Sequence, residues 1–239
     1  MSNTVVIIPT YNEKENVEAI IREVFSQEKK FDILVVDDSS PDGTENIVKS
    51  LQQEFSNLFI ESRKEKTGLG TAYIHGFKWA LAKDYEYIIE MDADFSHNPK
   101  DLIRLYNACA EEGADFSIGS RYLDNKINVV SWDFKRLFLS YFASKYVRII
   151  TRIPIFDTTA GFVCYNRKVL ENIQLNKIKF VGYAFQIEMK FKAWMLKFKH
   201  KEVSVIFTDR KMGTSKMSGS IISEAVFGVI KMKLQGIPK

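Results

Sequence analysis

The first 120 residues alternate between two hydrophobic patterns, and this alternation limits the possible folds more than any other feature of the chain. Short apolar runs rich in β-branched residues, such as Thr4–Ile8 and Phe31–Val36, predict buried strands. Between them lie segments with apolar residues at helical spacing, such as Glu13–Ser26. Buried strands separated by helices predict an α/β fold whose mostly parallel sheet is covered by helices on both faces.

The same patterns continue through the chain and define its predicted elements. We expect strands over residues 4–8, 31–36, 57–60, 85–91, 115–119, 161–165 and 201–207. We expect helices over residues 13–26, 42–51, 72–82, 99–110, 133–152, 183–196 and 220–234. A chain of 239 residues is long enough for one large α/β domain. We assign residues 1–218 to that domain and residues 219–239 to a C-terminal amphipathic helix.

Polar loops follow three of the predicted strands. They read PTYNE at residues 9–13, DDSSPDG at residues 37–43 and DAD at residues 92–94. Ligands of open parallel sheets bind outside the carboxyl ends of the strands, so these loops form the candidate site. The fingerprint GxGxxG is missing after the first strand, and TGLGTA lacks the GK[ST] ending of a P-loop. These two observations argue against a dinucleotide enzyme and a P-loop nucleotidase.

Asp92 and Asp94 stand two residues apart at the end of a predicted strand. Two such carboxylates can turn toward one hard divalent cation, Mg²⁺ or Mn²⁺, which takes oxygen ligands from carboxylates and substrate phosphates. A cation held there would neutralise a diphosphate as it leaves. Taken alone, the pair is also compatible with turn formation and helix capping ahead of Pro99.

Charge is divided unevenly between the two halves of the chain. Residues 1–120 carry 12 Lys and Arg against 22 Asp and Glu, a net charge of −10, whereas residues 121–239 carry 22 against 8, a net charge of +14. Such asymmetry indicates an anionic partner for the second half: a nucleic acid, a phosphorylated ligand or a membrane surface. A solvated basic face explains the same numbers.

Residues 133–152 (DFKRLFLSYFASKYVRIITR) combine aromatic and basic side chains. Arg136, Ser140 and Ser144 recur every four residues and therefore share one helical face. Such a helix is typical of a segment lying on a membrane surface, although packing on the sheet would give the same pattern. No window reaches the roughly 18–20 apolar residues of a membrane span, and the N-terminus has no signal-peptide pattern. We expect a cytoplasmic protein, peripheral to the cytoplasmic face of the membrane.

An ordered set of motifs extends along most of the sequence. In chain order it comprises PTYNE at 9–13, DDSSPDGT at 37–44, GLGTAY at 68–73, MDADFSH at 91–97, IGSRY at 118–122, DTTAGF at 157–162 and DRKMGTSKMS at 209–218. This set resembles glycosyltransferase family 2, which has the GT-A fold, and within it the dolichol- or polyprenol-phosphate mannose synthases. The resemblance covers roughly residues 5–218. Ser39 departs from the pattern, because the family usually has glycine there.

The resemblance implies roles for residues at matching positions. The nucleotide-sugar donor would be bound by Pro9, Tyr11, Glu13, Val36, Asp38, Asp92, Ala93, Asp94, Arg210 and Lys216. The cation, Mg²⁺ or Mn²⁺, would be held by Asp92, Asp94 and Ser96. Arg121 would contact a phosphate, and we assign it to the acceptor phosphate together with Arg136 and Ser140, which come from the helical-face argument and not from the resemblance. Asp92, Asp94 and Arg121 would be the catalytic residues.

The implied reaction is transfer of a monosaccharide, in the leading interpretation mannose from GDP-mannose, to a polyprenyl phosphate with inversion. A lipid phosphate is already anionic, so a strong general base is not required. The expected partners are the donor, the lipid, and a membrane surface or a separate membrane-anchoring protein, and no nucleic acid. A UDP-sugar donor such as UDP-glucose is the alternative with the same fold. A non-catalytic, membrane-peripheral nucleotide-binding protein is the alternative from another class.

Overall fold

Seven strands form one mixed sheet in a computed structural model that describes residues 2–123, 127–132, 134–182, 184–209, 228–234 and 236. The strands are β1 Thr4–Thr10, β2 Asp32–Asp37, β3 Leu58–Ser62, β4 Tyr87–Glu90, β5 Phe116–Ser120, β7 Val163–Asn166 and β8 His200–Ser204, and a separate two-stranded sheet pairs β6 Val129–Val130 with β9 Phe207–Thr208. Their order is β3-β2-β1-β4-β7-β5-β8. Only β7 runs antiparallel to its neighbours in this sheet, so the predicted mostly parallel sheet is confirmed.

Helices connect the strands and cover both faces of the sheet. They are α1 Val17–Phe25, α2 Thr44–Leu51, α3 Leu69–Leu81, α4 Asp101–Ala110, α5 Phe134–Thr151, α6 Arg167–Asn172 and α7 Ala184–Met195, with a 3₁₀ turn at Leu175–Lys177. Residues 228–234 are also helical. None of the helices in the described ranges is long and apolar enough to cross a bilayer.

The sheet separates two hydrophobic cores, because successive side chains of a strand point to opposite faces. In β1, Val6 and Ile8 pack with α1, α2 and α4, whereas Val5 and Ile7 pack with α3, α6 and α7. All four residues are fully buried. A sheet buried on both sides explains the continuous apolar runs in the sequence.

Two glycines allow α3 to lie unusually close to its neighbours. A Cβ atom on Gly76 would stand 2.7 Å from Ile7 Cγ2 in β1, and one on Gly70 would stand 2.7 Å from Cγ of Phe185 in α7. Contacts this short do not occur between real carbon atoms, so a side chain at either position would displace the helix. The close approach places Tyr73 of α3 beneath the end of β4.

Most element boundaries differ from the sequence prediction by one to four residues. Strand β1 continues to Thr10. Helix α1 begins at Val17 and not at Glu13, because the Glu13 carbonyl accepts hydrogen bonds from the amides of Asn16 and Val17 in a preceding turn. The predicted strand 201–207 is divided between β8 and β9. The predicted helix over 133–152 is confirmed as α5, and that over 220–234 lies mostly outside the described residues.

Candidate active site

The loops after β1, β2 and β4 meet at one edge of the sheet. These three strands are parallel neighbours, so their carboxyl ends lie side by side. The backbone ladder extends into the loops: the amide of Asp38 donates to the carbonyl of Thr10 at 3.0 Å, and the amide of Met91 donates to that of Ile7 at 3.1 Å. The strand order reverses between β1 and β4, which is where such sheets bind ligands.

Asp37 holds the loop after β2 in place. Its carboxylate accepts hydrogen bonds from the Thr10 hydroxyl at 2.8 Å and from the Ser40 amide and hydroxyl at 2.8 and 2.7 Å. Asp37 is fully buried, and these donors compensate its charge. Of the two consecutive aspartates, Asp37 is therefore the structural one.

Asp38 forms a buried ion pair that the sequence did not predict. Arg63, just after β3, lies with Nε 3.1 Å from Asp38 Oδ1, and its Nη2 donates to the Thr71 hydroxyl at 2.9 Å. Burial raises the pKa of Asp38, and the Arg63 charge opposes that rise. Arg63 Nη1 is buried and meets no hydrogen-bond acceptor in the described part of the chain. The pair therefore offers a guanidinium donor and a carboxylate acceptor side by side.

The other predicted donor residues of the first loops occupy different environments. Tyr11 is half-buried, and Lys66 Nζ lies 4.2 Å from its ring centroid. The Glu13 amide donates to the Thr44 hydroxyl at 3.0 Å, which ties the first loop to α2. Pro9 is half-buried at the end of β1. Val36 is fully buried in the core on the α3 side of the sheet, and its place in a pocket wall stays a prediction.

Asp92, Asp94 and Ser96 lie together in the loop after β4. About a third of the Asp92 side chain is exposed (35%), whereas Asp94 and Ser96 are buried and Ala93 between them packs into the core. Asp94 Oδ1 accepts the amide of Ser96 at 3.1 Å, which folds the loop back on itself. The hydroxyl of Ser96 is buried without a hydrogen-bond partner in the described residues.

Two side chains that were not predicted to act in the site orient Asp92. The Tyr73 hydroxyl donates to Asp92 Oδ1 at 3.2 Å. The Asp92 amide donates to Nδ1 of His97 at 3.1 Å, so His97 carries its proton on Nε2, which lies 4.0 Å from Asp92 Oδ2. His97 is buried and stacks on Phe162 with ring centroids 4.7 Å apart. Burial lowers the pKa of His97 and raises that of Tyr73, which favours the neutral forms of both.

The loop has the donor set that a hard cation requires. The loop offers the carboxylates of Asp92 and Asp94 and the Ser96 hydroxyl, and only this hydroxyl lacks a hydrogen-bond partner in the described residues. Such oxygen ligands are of the kind that Mg²⁺ and Mn²⁺ prefer. The described residues contain no group of three or more His, Cys, Asp or Glu that could hold a metal ion. Phosphate oxygens and water would therefore complete the coordination, as is usual for Mg²⁺ sites.

Arg121 is held by a bidentate contact with Asp157. Its Nε and Nη2 donate to the two carboxylate oxygens at 2.7 Å each, and its amide donates to Oδ2 at 3.0 Å. Both residues are buried. Burial alone would raise the pKa of Asp157, but the Arg121 charge and hydrogen bonds hold it below its ordinary value. The predicted phosphate contact of Arg121 stays a prediction, and the structure adds Asp157 as its support.

Arg136 and Ser140 project from one face of α5, as their spacing predicted. Arg136 Nη1 lies 2.6 Å from Asp209 Oδ1, and its guanidinium is 4.4 Å from the Trp132 ring centroid. The Tyr122 hydroxyl donates to Ser140 Oγ at 2.8 Å. Because Tyr122 follows Arg121, this contact brings the α5 face beside the end of β5. The predicted donor residues Arg210 and Lys216 lie outside the described residues.

A mostly parallel α/β sheet with paired carboxylates where the strand order reverses is typical of proteins that bind a ligand at the carboxyl ends of their strands. The sequence matches the family described as Glycosyl transferase family 2 over residues 5–174. The chain therefore belongs to glycosyl transferase family 2.

Two characterised relatives match nearly the whole chain. It is 44% identical to the polyprenol monophosphomannose synthase of Mycolicibacterium smegmatis over 98% of this chain and 88% of the relative. It is 40% identical to the undecaprenyl-phosphate mannosyltransferase of Micrococcus luteus over 95% and 93%.

Solved structures with low sequence identity share the fold. The glucosyl-3-phosphoglycerate synthase of Mycobacterium tuberculosis, in complex with Mn²⁺, UDP and glucosyl-3-phosphoglycerate, is 17% identical with a TM-score of 0.69 over 99% of this chain and 81% of that one. A mannosyltransferase from Pyrobaculum calidifontis, in complex with GDP-Man and Mn²⁺, is 17% identical with a TM-score of 0.61 over 97% and 73%. These likenesses confirm the α/β GT-A fold.

Ser39 occupies a backbone conformation that suits glycine. Its φ angle is +54°, in the left-handed region, which costs a residue with a Cβ roughly 1–2 kcal/mol. Its hydroxyl donates to the carbonyl of Arg63 and so holds the loop after β2 against β3. The hydrogen bond compensates the backbone strain, which accounts for serine at a position where the family usually has glycine.

This balance gives a prediction about stability. Ser39→Gly removes both the strain and the hydrogen bond and should change the free energy of unfolding by less than about 0.5 kcal/mol. Ser39→Ala removes the hydrogen bond and keeps the strain, so it should destabilise the protein by about 1 kcal/mol. Urea denaturation of the two variants measures the difference. Equal destabilisation by both would contradict the argument.

Proposed function

We propose that this protein transfers mannose from GDP-mannose to the phosphate of a polyprenyl lipid, with inversion at the anomeric carbon and with a divalent cation at the donor. The observation that carries the proposal is the loop after β4, where Asp92, Asp94 and the Ser96 hydroxyl stand together at the switch point. The names of the two relatives support mannose and the polyprenyl acceptor. The GDP-Man and Mn²⁺ of the Pyrobaculum enzyme support the donor and the cation.

The Asp38–Arg63 pair supports recognition of the base. Guanine presents a carbonyl acceptor beside two N–H donors on one edge. A carboxylate that accepts and a guanidinium that donates, side by side, match that edge. Uracil offers an acceptor in place of the second donor and leaves part of the carboxylate without a partner. We therefore assign Asp38 and Arg63 to the base, with Pro9, Tyr11, Glu13 and the backbone of Val36 around the nucleoside.

Asp92, Asp94 and Ser96 would hold the cation. When bound, a divalent cation supplies positive charge that neutralises the departing diphosphate. Tyr73 and His97 keep the Asp92 carboxylate turned toward the opening of the site, through contacts to its Oδ1 and its amide. We assign Arg210 and Lys216 to the same diphosphate on the strength of the family pattern.

The acceptor phosphate attacks as an anion. One of its oxygens forms a bond to the anomeric carbon of mannose while the bond from that carbon to the diphosphate oxygen breaks, and its electron pair leaves with GDP. Attack opposite to the leaving group inverts the anomeric centre. Arg136 and Ser140 on α5, with Arg121 at the end of β5, would orient the phosphate.

A donor panel tests the reaction. Purified protein, Mg²⁺ or Mn²⁺ and a polyprenyl phosphate are incubated with labelled GDP-mannose, GDP-glucose, UDP-glucose and UDP-N-acetylglucosamine. We expect mannosyl lipid from GDP-mannose, with a kcat/KM at least about 100-fold above that of any UDP-sugar, because mismatched polar groups in the base pocket are costly. Preferred use of UDP-glucose would show that the donor is UDP-glucose and not GDP-mannose. Absence of all lipid product would favour the non-catalytic alternative.

Asp94→Asn tests the proposed cation site by loss of activity. It keeps the oxygen that accepts the Ser96 amide but removes a negative charge from the cation site. We expect kcat to fall by about 100-fold or more, since cation stabilisation of a leaving group contributes several kcal/mol. Asp101→Asn removes a carboxylate that pairs with Arg104 in the first turn of α4, and should leave kcat unchanged. Unchanged turnover in Asp94→Asn, with an unchanged melting temperature, would exclude the cation site.

Arg136→Met tests whether Arg136 binds the acceptor or the donor. The change keeps the length of the side chain and removes its charge. The KM for polyprenyl phosphate should rise about tenfold or more, since hydrogen bonds to charged groups contribute about 1.5–3 kcal/mol, while the KM for GDP-mannose changes less than about twofold. Arg148→Met, on the same helix with its guanidinium 4.3 Å from the Phe156 ring, is the control. An equal rise in both constants would exclude an acceptor role for Arg136.

Helix α5 also supports contact with a membrane surface. Phe134, Phe138 and Phe142 recur every four residues on its exposed side, with successive ring centroids 6.2 and 4.1 Å apart and exposed fractions of 78%, 53% and 46%. Lys145 continues this line with its amino group 5.9 Å from the Phe142 ring. An aromatic row beside basic residues is typical of helices that lie in the headgroup region. We propose that α5 rests on the membrane and presents Arg136 and Ser140 to the lipid phosphate.

Vesicle binding tests this contact. Phe138→Ser with Phe142→Ser should weaken partitioning to vesicles of phosphatidylcholine and phosphatidylglycerol at least about tenfold, because each buried phenylalanine contributes about 1.5–3 kcal/mol. Turnover of a short, detergent-dispersed acceptor should stay within about twofold. Phe156→Ser removes a phenylalanine of similar exposure (41%) outside α5 and is the control. Unchanged partitioning would argue for a separate anchoring protein.

A further inference from the structure

A lysine is buried in the middle of the molecule, beneath the active site. Lys190 of α7 has no exposed surface, and its amino group donates to the Ala160 carbonyl at 2.5 Å, the Gln186 carbonyl at 3.2 Å and Gln186 Oε1 at 3.4 Å. A buried ammonium group is costly unless hydrogen bonds and a counter-charge compensate it. Burial lowers the pKa of Lys190 to about 8.

Gln186 connects this lysine to the strand that carries Asp92. The Gln186 amide donates to Glu90 Oε2 at 2.9 Å, and both side chains are buried. Glu90 is the last residue of β4, paired with Ile7 in β1 and Val163 in β7, and Asp92 follows two residues later. Burial raises the pKa of Glu90 to about 8. Lys190, Gln186 and Glu90 thus form one continuous buried network, which we call the α7 network.

The other end of the α7 network reaches the segment that holds Arg121. Ala160, which accepts from Lys190, lies three residues after Asp157, the carboxylate that grips the Arg121 guanidinium at 2.7 Å. A Cβ atom on Gly161 would lie 3.7 Å from Cε1 of His97 and 3.8 Å from Nε2 of Gln186. The segment 157–161 therefore packs between the donor loop and α7.

We propose that the α7 network is a positioning element that fixes the distance between Asp92 and Arg121 in the site. The inference rests on the proposed function and adds to it Lys190, Gln186 and Glu90, which touch neither substrate. A transfer reaction requires the attacking phosphate oxygen and the anomeric carbon to lie within reach of each other. The network is bonded at one end to the last residue of β4, two residues before Asp92, and at the other to Ala160, three residues after Asp157, and so fixes that separation.

If the lipid phosphate and the donor are misaligned, water can attack the donor in place of the lipid phosphate. When the lipid phosphate stands out of line, a water oxygen forms the bond to the anomeric carbon, the diphosphate leaves as GDP, and the water gives up a proton to solvent, so free mannose replaces mannosyl lipid. The ratio of free mannose to mannosyl lipid is measured per donor consumed. It does not depend on the fraction of enzyme that is folded, which a purely structural defect would change.

Lys190→Met is the test, with free mannose and mannosyl lipid measured in the same reaction. We expect kcat for transfer to fall about 10- to 100-fold and the ratio of hydrolysis to transfer to rise at least about fivefold, because a displacement of about 1 Å can cost about 100-fold in rate. The KM for GDP-mannose should change less than about twofold, because Lys190 does not line the donor pocket.

The same helix provides a matched control. Lys192 is also buried, and its amino group lies 2.9 Å from Glu188 Oε1 and 3.1 Å from the Lys177 carbonyl. Lys192→Met therefore removes a second buried lysine of α7, whose amino group bonds to Glu188 and Lys177 instead of to Ala160 and Gln186. It should lower the melting temperature but keep the wild-type ratio of hydrolysis to transfer.

A double variant covers the case in which Lys190→Met does not fold. Lys190→Met with Glu90→Gln leaves neither a buried amine nor a buried carboxyl in the network, and the introduced amide oxygen can still accept from Gln186, so the double variant should be more stable than Lys190→Met but keep the raised ratio. A wild-type ratio in a folded Lys190→Met or double variant, or an equal rise in Lys192→Met, would overturn the proposal. Absence of transfer in the wild-type protein would overturn the proposed function instead, so the two failures are distinguishable.

Discussion

The parallel pairing of β1 with both β2 and β4 is the constraint on which the rest of the structure depends. It places three carboxyl ends side by side, and the backbone bonds from Asp38 to Thr10 and from Met91 to Ile7 extend the ladder into the loops. The apolar strands that make this pairing possible are buried on both faces. Polar chemistry can therefore appear only where the strands end, which is where the aspartates lie.

Negative charge gathered at strand ends requires compensation, and the manner of compensation separates the roles of the aspartates. Asp37 is satisfied by Thr10 and Ser40, and Asp157 by Arg121, so both hold loops in place. Asp38 shares its charge with Arg63 at the carboxyl ends of β2 and β3. Asp92 retains a third of its surface exposed, above a buried Ser96 hydroxyl. We therefore place the proposed cation at Asp92, Asp94 and Ser96, where an exposed carboxylate stands beside a buried hydroxyl.

The sequence predicted the elements whose signals are local. Apolar runs located all seven strands of the main sheet to within three residues, and the four-residue spacing in α5 correctly placed Arg136 and Ser140 on one face. Contacts between distant segments were missed. One such contact is the pairing of Arg63 with Asp38, and another is the link from Lys190 through Gln186 to Glu90. The local sequence around each residue says nothing about its partner. A lysine in an amphipathic helix is expected in solvent, and only the two-sided packing of α7 buries it.

The division of charge between the two halves has a different meaning once the contacts are known. The excess of basic residues after residue 120 suggested a surface of free positive charge, but three of its arginines are bound to carboxylates of the same half: Arg121 to Asp157 and Arg136 to Asp209 in the candidate site, and Arg167 to Glu171 in α6. Such pairs lose part of their long-range field and gain a fixed orientation. In this site the arginines therefore act as oriented hydrogen-bond donors. In the proposed function, attraction to an anionic membrane surface would fall to exposed lysines such as Lys145, beside the aromatic row of α5. The proposed function thus assigns attraction and alignment to different cations, and alignment can then depend on a network as deeply buried as that of Lys190.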